Sequence, residues 1–161
     1  MTDINQLDLK TFVTNAVNDV FTTMLSMELN NVEAKFQDVA ENGEHIVGSV
    51  GFAGLVMGNV NVFVGQDFAH QIAAAMLGME EDEIENEEEV HDVIGELCNM
   101  IGGDLKSRLC DCGMTCSLSI PSITSGKDFR IESKGWDRNE KFGFHNHQHT
   151  ALVEVYMKLA N

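Results

Sequence analysis

The sequence predicts an α+β protein: a mainly antiparallel sheet packed with two long helices and one shorter helix. Three observations carry this. Two long stretches bring apolar residues back every three or four positions, valine-rich segments between glycines read as strands, and the element order is helix, two strands, two helices, three strands. At 161 residues, with 43% hydrophobic and 22% charged side chains, the chain reads as one globular domain over residues 1–161.

Taken in order, Leu9, Phe12, Val13, Ala16, Val17, Val20, Phe21, Met24 and Leu25 share helical spacing, which predicts a helix over about residues 7–27. "EHIVGSVGF" and "GLVMGNVNVFVG" follow as strands of an antiparallel hairpin, with the turn placed in the region of Gly51 and Gly54. "QDFAHQIAAAMLGM" is the shorter helix, opening near Gln66 or Asp67. Residues 80–89 then hold eight acids in ten positions and read as a solvated linker. Its end has a second use, because Asn86 fits an N-cap and acids in a first turn suit the helix dipole. The second long helix therefore begins near Glu87. "TCSLSIPSITSG", "DFRIESKGW" and "HTALVEVYMKL" read as three closing strands, and Pro121 marks the first as an edge strand or a strand end.

A formal charge of -16, from 26 acids against 10 bases, would repel a phosphate backbone, so nucleic acid is excluded as a partner and anionic membrane surfaces are disfavoured. No apolar run approaches a membrane span, and "MTDINQLDLK" lacks the layout of a secretory signal, so a cytoplasmic protein without membrane insertion is expected. Cys98, Cys110, Cys112 and Cys116 are then expected as reduced thiols, and their spacing is not that of a structural zinc site.

The helix "HDVIGELCNMIGGDLKSRL" carries the functional signal. At about 100° per residue, Val90, Ile94, Leu97, Ile101 and Leu105 form a core stripe, with Arg108 continuing their side. Asp92, Glu96, Asn99, Gly103 and Lys106 fall together on the opposite side. Alone, a Glu–Asn pair reads as a wet helix face. The adjacent glycines change that, since each weakens a helix by roughly 0.5–1 kcal/mol relative to alanine. Gly102 suits tight packing of the hidden side, and Gly103 the close approach of a second molecule. An amide does not titrate and so is no general base, but it can orient a water. A carboxylate beside it suits a partner's lysine.

The pattern of Asp92, Glu96 and Asn99, followed by Pro121, resembles the signature of the CheC/CheX/FliY chemotaxis phosphatases. "ELCNMIGGDLKSRL" is similar to that family's catalytic helix and "SIPSI" to its following strand. The resemblance, most like CheX, implies a CheX/CheC-like fold and dephosphorylation of a CheY-type response regulator. Asn99 would position the attacking water, Glu96 would pair with the receiver's lysine, and Asp92, Gly103 and Lys106 would border the docked partner. It also implies that the receiver brings the Mg²⁺, so the chain needs no cofactor or metal of its own. It further implies a homodimer built by joining sheets.

Family members carry one or two such helices. Sliding the first helix by 81 residues aligns Phe12, Val13, Ala16, Val20 and Met24 with Val93, Ile94, Leu97, Ile101 and Leu105, an internal pseudo-repeat. Asn18 falls on Asn99, but Asn15 falls on Glu96, Thr11 on Asp92, Phe21 on Gly102 and Thr22 on Gly103. One functional site is expected.

His145, His147 and His149 would share a face if they lay on a strand and could then offer imidazoles to a zinc ion; a polar loop is the plainer reading. Trp136 is read as partly buried, and Met24, Met27, Met57, Met76 and Met79 as core fillers. A non-catalytic module of the same fold that binds a signalling receiver remains the alternative to an enzyme.

Overall fold

The valine-rich segments pair into one sheet. The computed structural model describes residues 3–39, 43–127, 129 and 131–160. The helices are α1 (Leu9–Leu25), α2 (Phe36–Val39), α3 (Gln66–Leu77) and α4 (Glu87–Asp111). The strands are β1 (Asn30–Val32), β2 (Glu44–Gly54), β3 (Val56–Gly65), β4 (Cys116–Leu118), β5 (Ser122–Lys127), β6 (Arg138–His145) and β7 (Thr150–Leu159). All pairings are antiparallel, in the order β1-β6-β7-β3-β2, with β4 and β5 both on the outer side of β2.

That order reads the same from either end. The β2–β3 and β6–β7 hairpins meet along β3 and β7, where Val60 faces Val155. The outer strand of each hairpin takes an edge strand that follows a long helix, β1 after α1 and β4/β5 after α4. The repeat seen in the two helices therefore extends through the sheet.

Local chemistry sets the helix ends. Asp8 caps α1, its carboxylate accepting from the Thr11 amide at 3.1 Å and the Thr11 hydroxyl at 2.8 Å. Ser26 ends that helix in the left-handed region, φ 52°. Asn86 caps α4 as expected, accepting from the Glu89 amide at 3.0 Å. Apolar burial then holds the layers. Helices α1, α3 and α4 press Leu9, Val13, Phe68, Ile94, Leu97 and Ile101 onto Val50, Val60, Val62 and Val155 of one sheet face. On the other face, Val39 of α2 joins Val47, Phe63 and Leu152, with Phe36, Phe129 and Ile131 packed against them.

Several expectations are corrected. "DFRIESKGW" is not a strand in its described residues; the strand is Arg138–His145 instead. Phe129 and Ile131 alternate because both press onto the sheet's second face. Gly135 then turns at φ 86°, and Trp136 packs on Tyr156 at 4.8 Å. The β2–β3 turn lies at Leu55, because Gly51 and Gly54 belong to β2 itself. The acidic run is partly structured, with a 3-10 turn at Glu81–Glu83 in which the Glu80 amide donates to the Glu83 carboxylate at 2.9 Å. Of the five named methionines, Met27 and Met76 do pack against the core, whereas Met57 and Met79 are only half-buried and Met24 is 48% exposed.

Pro121 does mark an edge, and more specifically a break in it. The register of β4 places Phe52 opposite Leu118, while that of β5 places Ser49 opposite Ser122. The Ser119 amide donates to the Gly51 carbonyl at 2.8 Å, so Ser119 still follows the β4 register. Two edge residues, Ile120 and Pro121, thus oppose the single residue Val50. This is a β-bulge.

Candidate functional site

Helix α4 lies over β2, and glycines let it settle there. A Cβ on Gly102 would sit 2.5 Å from Val50 Cγ1, and one on Gly48 of β2 would sit 3.0 Å from Cys98 Cβ. Neither position has room for a methyl group without movement. Gly103 differs, because its nearest neighbour across the helix would be Leu118 Cδ1 at 3.9 Å. The two adjacent glycines therefore do different work: Gly102 packs tightly on the sheet, and Gly103 leaves room for a side chain beside Leu118.

With the buried side fixed in this way, the other side of α4 faces outward. Asp92 and Glu96 are exposed, and Asn99, Gly103 and Lys106 are half-buried. The structure brings all five together on one helix face. Glu96 and Asn99 stand one turn apart, with neither side chain engaged in a hydrogen bond or ion pair among the described residues. Lys106 is near enough to Cys116 to favour its thiolate, although burial dominates and pushes that thiol up to about 11. Arg108 does not join the core stripe. Asp104 holds it at 2.6 Å and Asp19 of α1 at 3.0 Å, which ties the two long helices together at the surface.

The edge beside α4 completes the patch. Leu118 reaches toward Gly103 and Ile123 comes within 3.6 Å of a Cβ on Gly95, so β4 and β5 run alongside the Glu96–Asn99 stretch. Sequence periodicity along the helix carries no information about this strand; only Pro121 hinted at it. A groove of about 770 Å³, lined by Lys10, Asn31, Lys35 and Lys141 among others, lies at the β1–β6 edge, on the far side of the sheet from β2. A carboxylate and an amide on a protruding helix can reach into another protein's cavity, where the reacting groups would have to be supplied.

The matching face of α1 is built otherwise. Asn15 and Thr22 are exposed and Asn18 is half-buried, but Phe21 is fully buried and meets Phe68 at 6.2 Å. A phenyl ring thus fills the place where α4 has the bare backbone of Gly102. The histidines are separated by a hairpin turn: His145 ends β6, His147 is exposed at the turn, and His149 stacks on Phe68 at 5.1 Å. Asn146 forms that turn, accepting from the amides of Gln148 at 2.8 Å and His149 at 2.7 Å. Among the described residues, no three His, Cys, Asp or Glu side chains come together in a way that could hold a metal ion. None of the four cysteines is in a disulfide, and Cys98 and Cys116 are buried. Among the described residues no helix is long and apolar enough to cross a membrane.

Solved CheX and CheC-like structures share this antiparallel sheet and its helices. The family model for chemotaxis phosphatase CheX matches residues 46–145, and the chain belongs to that family. It is 31% identical over 91 residues to the CheY-P phosphatase CheX of Thermotoga maritima, a match covering 56% of this chain and 57% of that protein. The chain thus spans little more than half the length of that curated relative. The crystal structure of chemotaxis protein CheX from Vibrio vulnificus superposes with a TM-score of 0.80 at 25% identity, covering 94% of this chain and 97% of that one. The CheX-CheY-BeF3-Mg complex of Borrelia burgdorferi has a TM-score of 0.72 at 22% identity, over 95% and 99% of the two chains, a likeness of fold.

Proposed function

We propose that the protein hydrolyses the aspartyl phosphate of a CheY-type receiver domain. The observation that carries this is the pair Glu96 and Asn99, unengaged, one turn apart, on the outward side of a helix whose inner side is locked to β2. Asn99 enters the receiver's phosphorylation site and holds a water in line with the phosphorus, its amide offering both a donor and an acceptor. Glu96 pairs with the receiver's lysine and fixes the angle of approach. The water oxygen bonds to phosphorus as the bond from phosphorus to the aspartate oxygen breaks. Inorganic phosphate leaves with the protons of the water, and the aspartate carboxylate is restored. The receiver supplies the aspartate and the Mg²⁺, which neutralises charge on the transferring phosphoryl group. The Borrelia relative crystallised with CheY, BeF3 and Mg supports a partner of this kind.

Decay of a phosphorylated, Mg²⁺-loaded receiver from the same organism, measured with wild type and Asn99→Ala in parallel, tests the proposal. Acceleration by wild type and none by Asn99→Ala, with receiver binding intact in both, is the expected result. Binding without acceleration in wild type would leave the receiver-binding module in its place. The same reading puts the chain in the cytoplasm with its receiver. It includes a homodimer formed at sheet edges, which sedimentation at micromolar concentration checks.

A further inference from the structure

The bulge opposite Val50 has a chemical product, an aliphatic side chain held in solvent. Ile120 is 87% exposed, while the next most exposed large apolar residue among the described residues, Leu55, is 59% exposed. Single exposed apolar residues are ordinary on protein surfaces. Position and rigidity distinguish this one. Val50 touches α4 at Gly102, three residues beyond Asn99, and the bulge lies directly across from Val50. Leu118 meets α4 near Gly103 and Ile123 meets it near Gly95, a span of roughly 12 Å along the helix that contains Glu96 and Asn99. Ile120 stands between those two contacts.

Its backbone is fixed on both sides. Ser119 is bonded to Gly51 through its amide, and its hydroxyl accepts from the Gly51 amide at 2.8 Å. Pro121 has a locked φ, and Ser122 resumes the ladder opposite Ser49. An isoleucine presented on a pinned bulge loses little chain entropy when it is buried by a partner, and bulges re-aim side chains beside active sites. Glu96 and Asn99 supply charge and an amide, and the apolar residues beside them, Leu118 and Ile123, are half-buried against α4, whereas interface affinity concentrates in a few anchors that a partner desolvates.

We infer that Ile120 is the apolar anchor that seats the receiver against α4, a specificity-determining residue for the reaction proposed above and dependent on that reading. The receiver must then offer an apolar recess beside its phosphorylation site. Ile120 sets how tightly the receiver is held and leaves the chemistry to Asn99.

The test uses a receiver phosphorylated by acetyl phosphate with Mg²⁺, against the full chain as wild type, Ile120→Ala, Ile120→Val and Asn99→Ala. Receiver Kd and phosphate release are both measured. Ile120→Ala should raise KM and Kd about tenfold with kcat within twofold and thermal stability unchanged, and Ile120→Val should recover most of the loss. Asn99→Ala should do the reverse, losing kcat while keeping Kd. A Kd for Ile120→Ala within twofold of wild type overturns the anchor, as does a wild-type chain that fails to bind the receiver at all. If wild type binds without releasing phosphate, the phosphatase reading fails, and the Kd comparison still decides whether Ile120 is an anchor.

Discussion

Gly102 and Val50 touch so closely that a methyl group on the glycine would fall 2.5 Å from the valine Cγ1. Val50 is fully buried and branched at Cβ, so it has little freedom to move aside. This contact sets the height of α4 over β2, and with it the distance to which Glu96 and Asn99 project.

Substituting the two adjacent glycines should therefore have opposite effects. Gly102→Ala overpacks the contact and is expected to lower stability by about 1–3 kcal/mol. Gly103→Ala makes only an ordinary contact with Leu118, at 3.9 Å, and its better helix propensity should raise stability by about 0.5–1 kcal/mol. If the partner docks over Gly103, the same substitution also raises KM for the receiver. Chemical denaturation of both variants checks the signs, and a stabilised Gly102→Ala would contradict the packing argument.

Asn86 closes the first turn of α4 by accepting from the Glu89 amide. Asn86→Ala should cost about 0.5–2 kcal/mol, with the loss appearing first as faster amide exchange at residues 87–90. Exchange that is unchanged there would mean the neighbouring acids hold the turn without the cap.

Glu96→Gln keeps the shape and removes the charge. If Glu96 pairs with a receiver lysine, kcat/KM should fall by one to two orders of magnitude, in line with about 1.5–3 kcal/mol for a hydrogen bond to a charged group. The salt dependence of the wild-type rate should shrink along with it. A variant as active and as salt-sensitive as wild type would remove Glu96 from the contact.

Burial pushes the Cys98 thiol from 9.0 up to about 12. The folded state therefore prefers the protonated thiol. This contribution is fully present below pH 9, where the unfolded thiol is also protonated, and is lost as pH rises from 9 toward 12. Urea titrations at a series of alkaline pH values should show wild type losing stability more steeply across that window than Cys98→Ala. Parallel losses would show that other groups dominate alkaline unfolding.

Helix α4 was legible because cap, period and hidden stripe all agree: Asn86, the acids of the first turn and the spacing from Val90 to Leu105 give one answer. Its outward face followed from the same arithmetic, which is why Asp92, Glu96, Asn99, Gly103 and Lys106 emerge together. Arg108, the one charged residue on the stripe's side, is half-buried where Asp104 and Asp19 of α1 give it ion pairs. The second face of the sheet was far less legible. Phe129 and Ile131 alternate as in a strand, yet they pack across the sheet from outside its ladder, and one chain's periodicity does not distinguish those outcomes. The bulge at Ile120 was hidden for a similar reason. It is a mismatch between two registers, and neither register exists until β4 and β5 have both paired with β2.

That mismatch also affects how the molecule meets its own kind in a crowded solution. A regular sheet margin presents an unbroken row of amides and carbonyls, a template on which a stray strand can crystallise. Here the row is interrupted at mid-length by an extra residue and by Pro121, which has no amide hydrogen to donate. Fibre-like growth from this side would have to begin on a short stub at either end of the break. The kink beside the working helix thus also limits how far unwanted sheet extension can proceed.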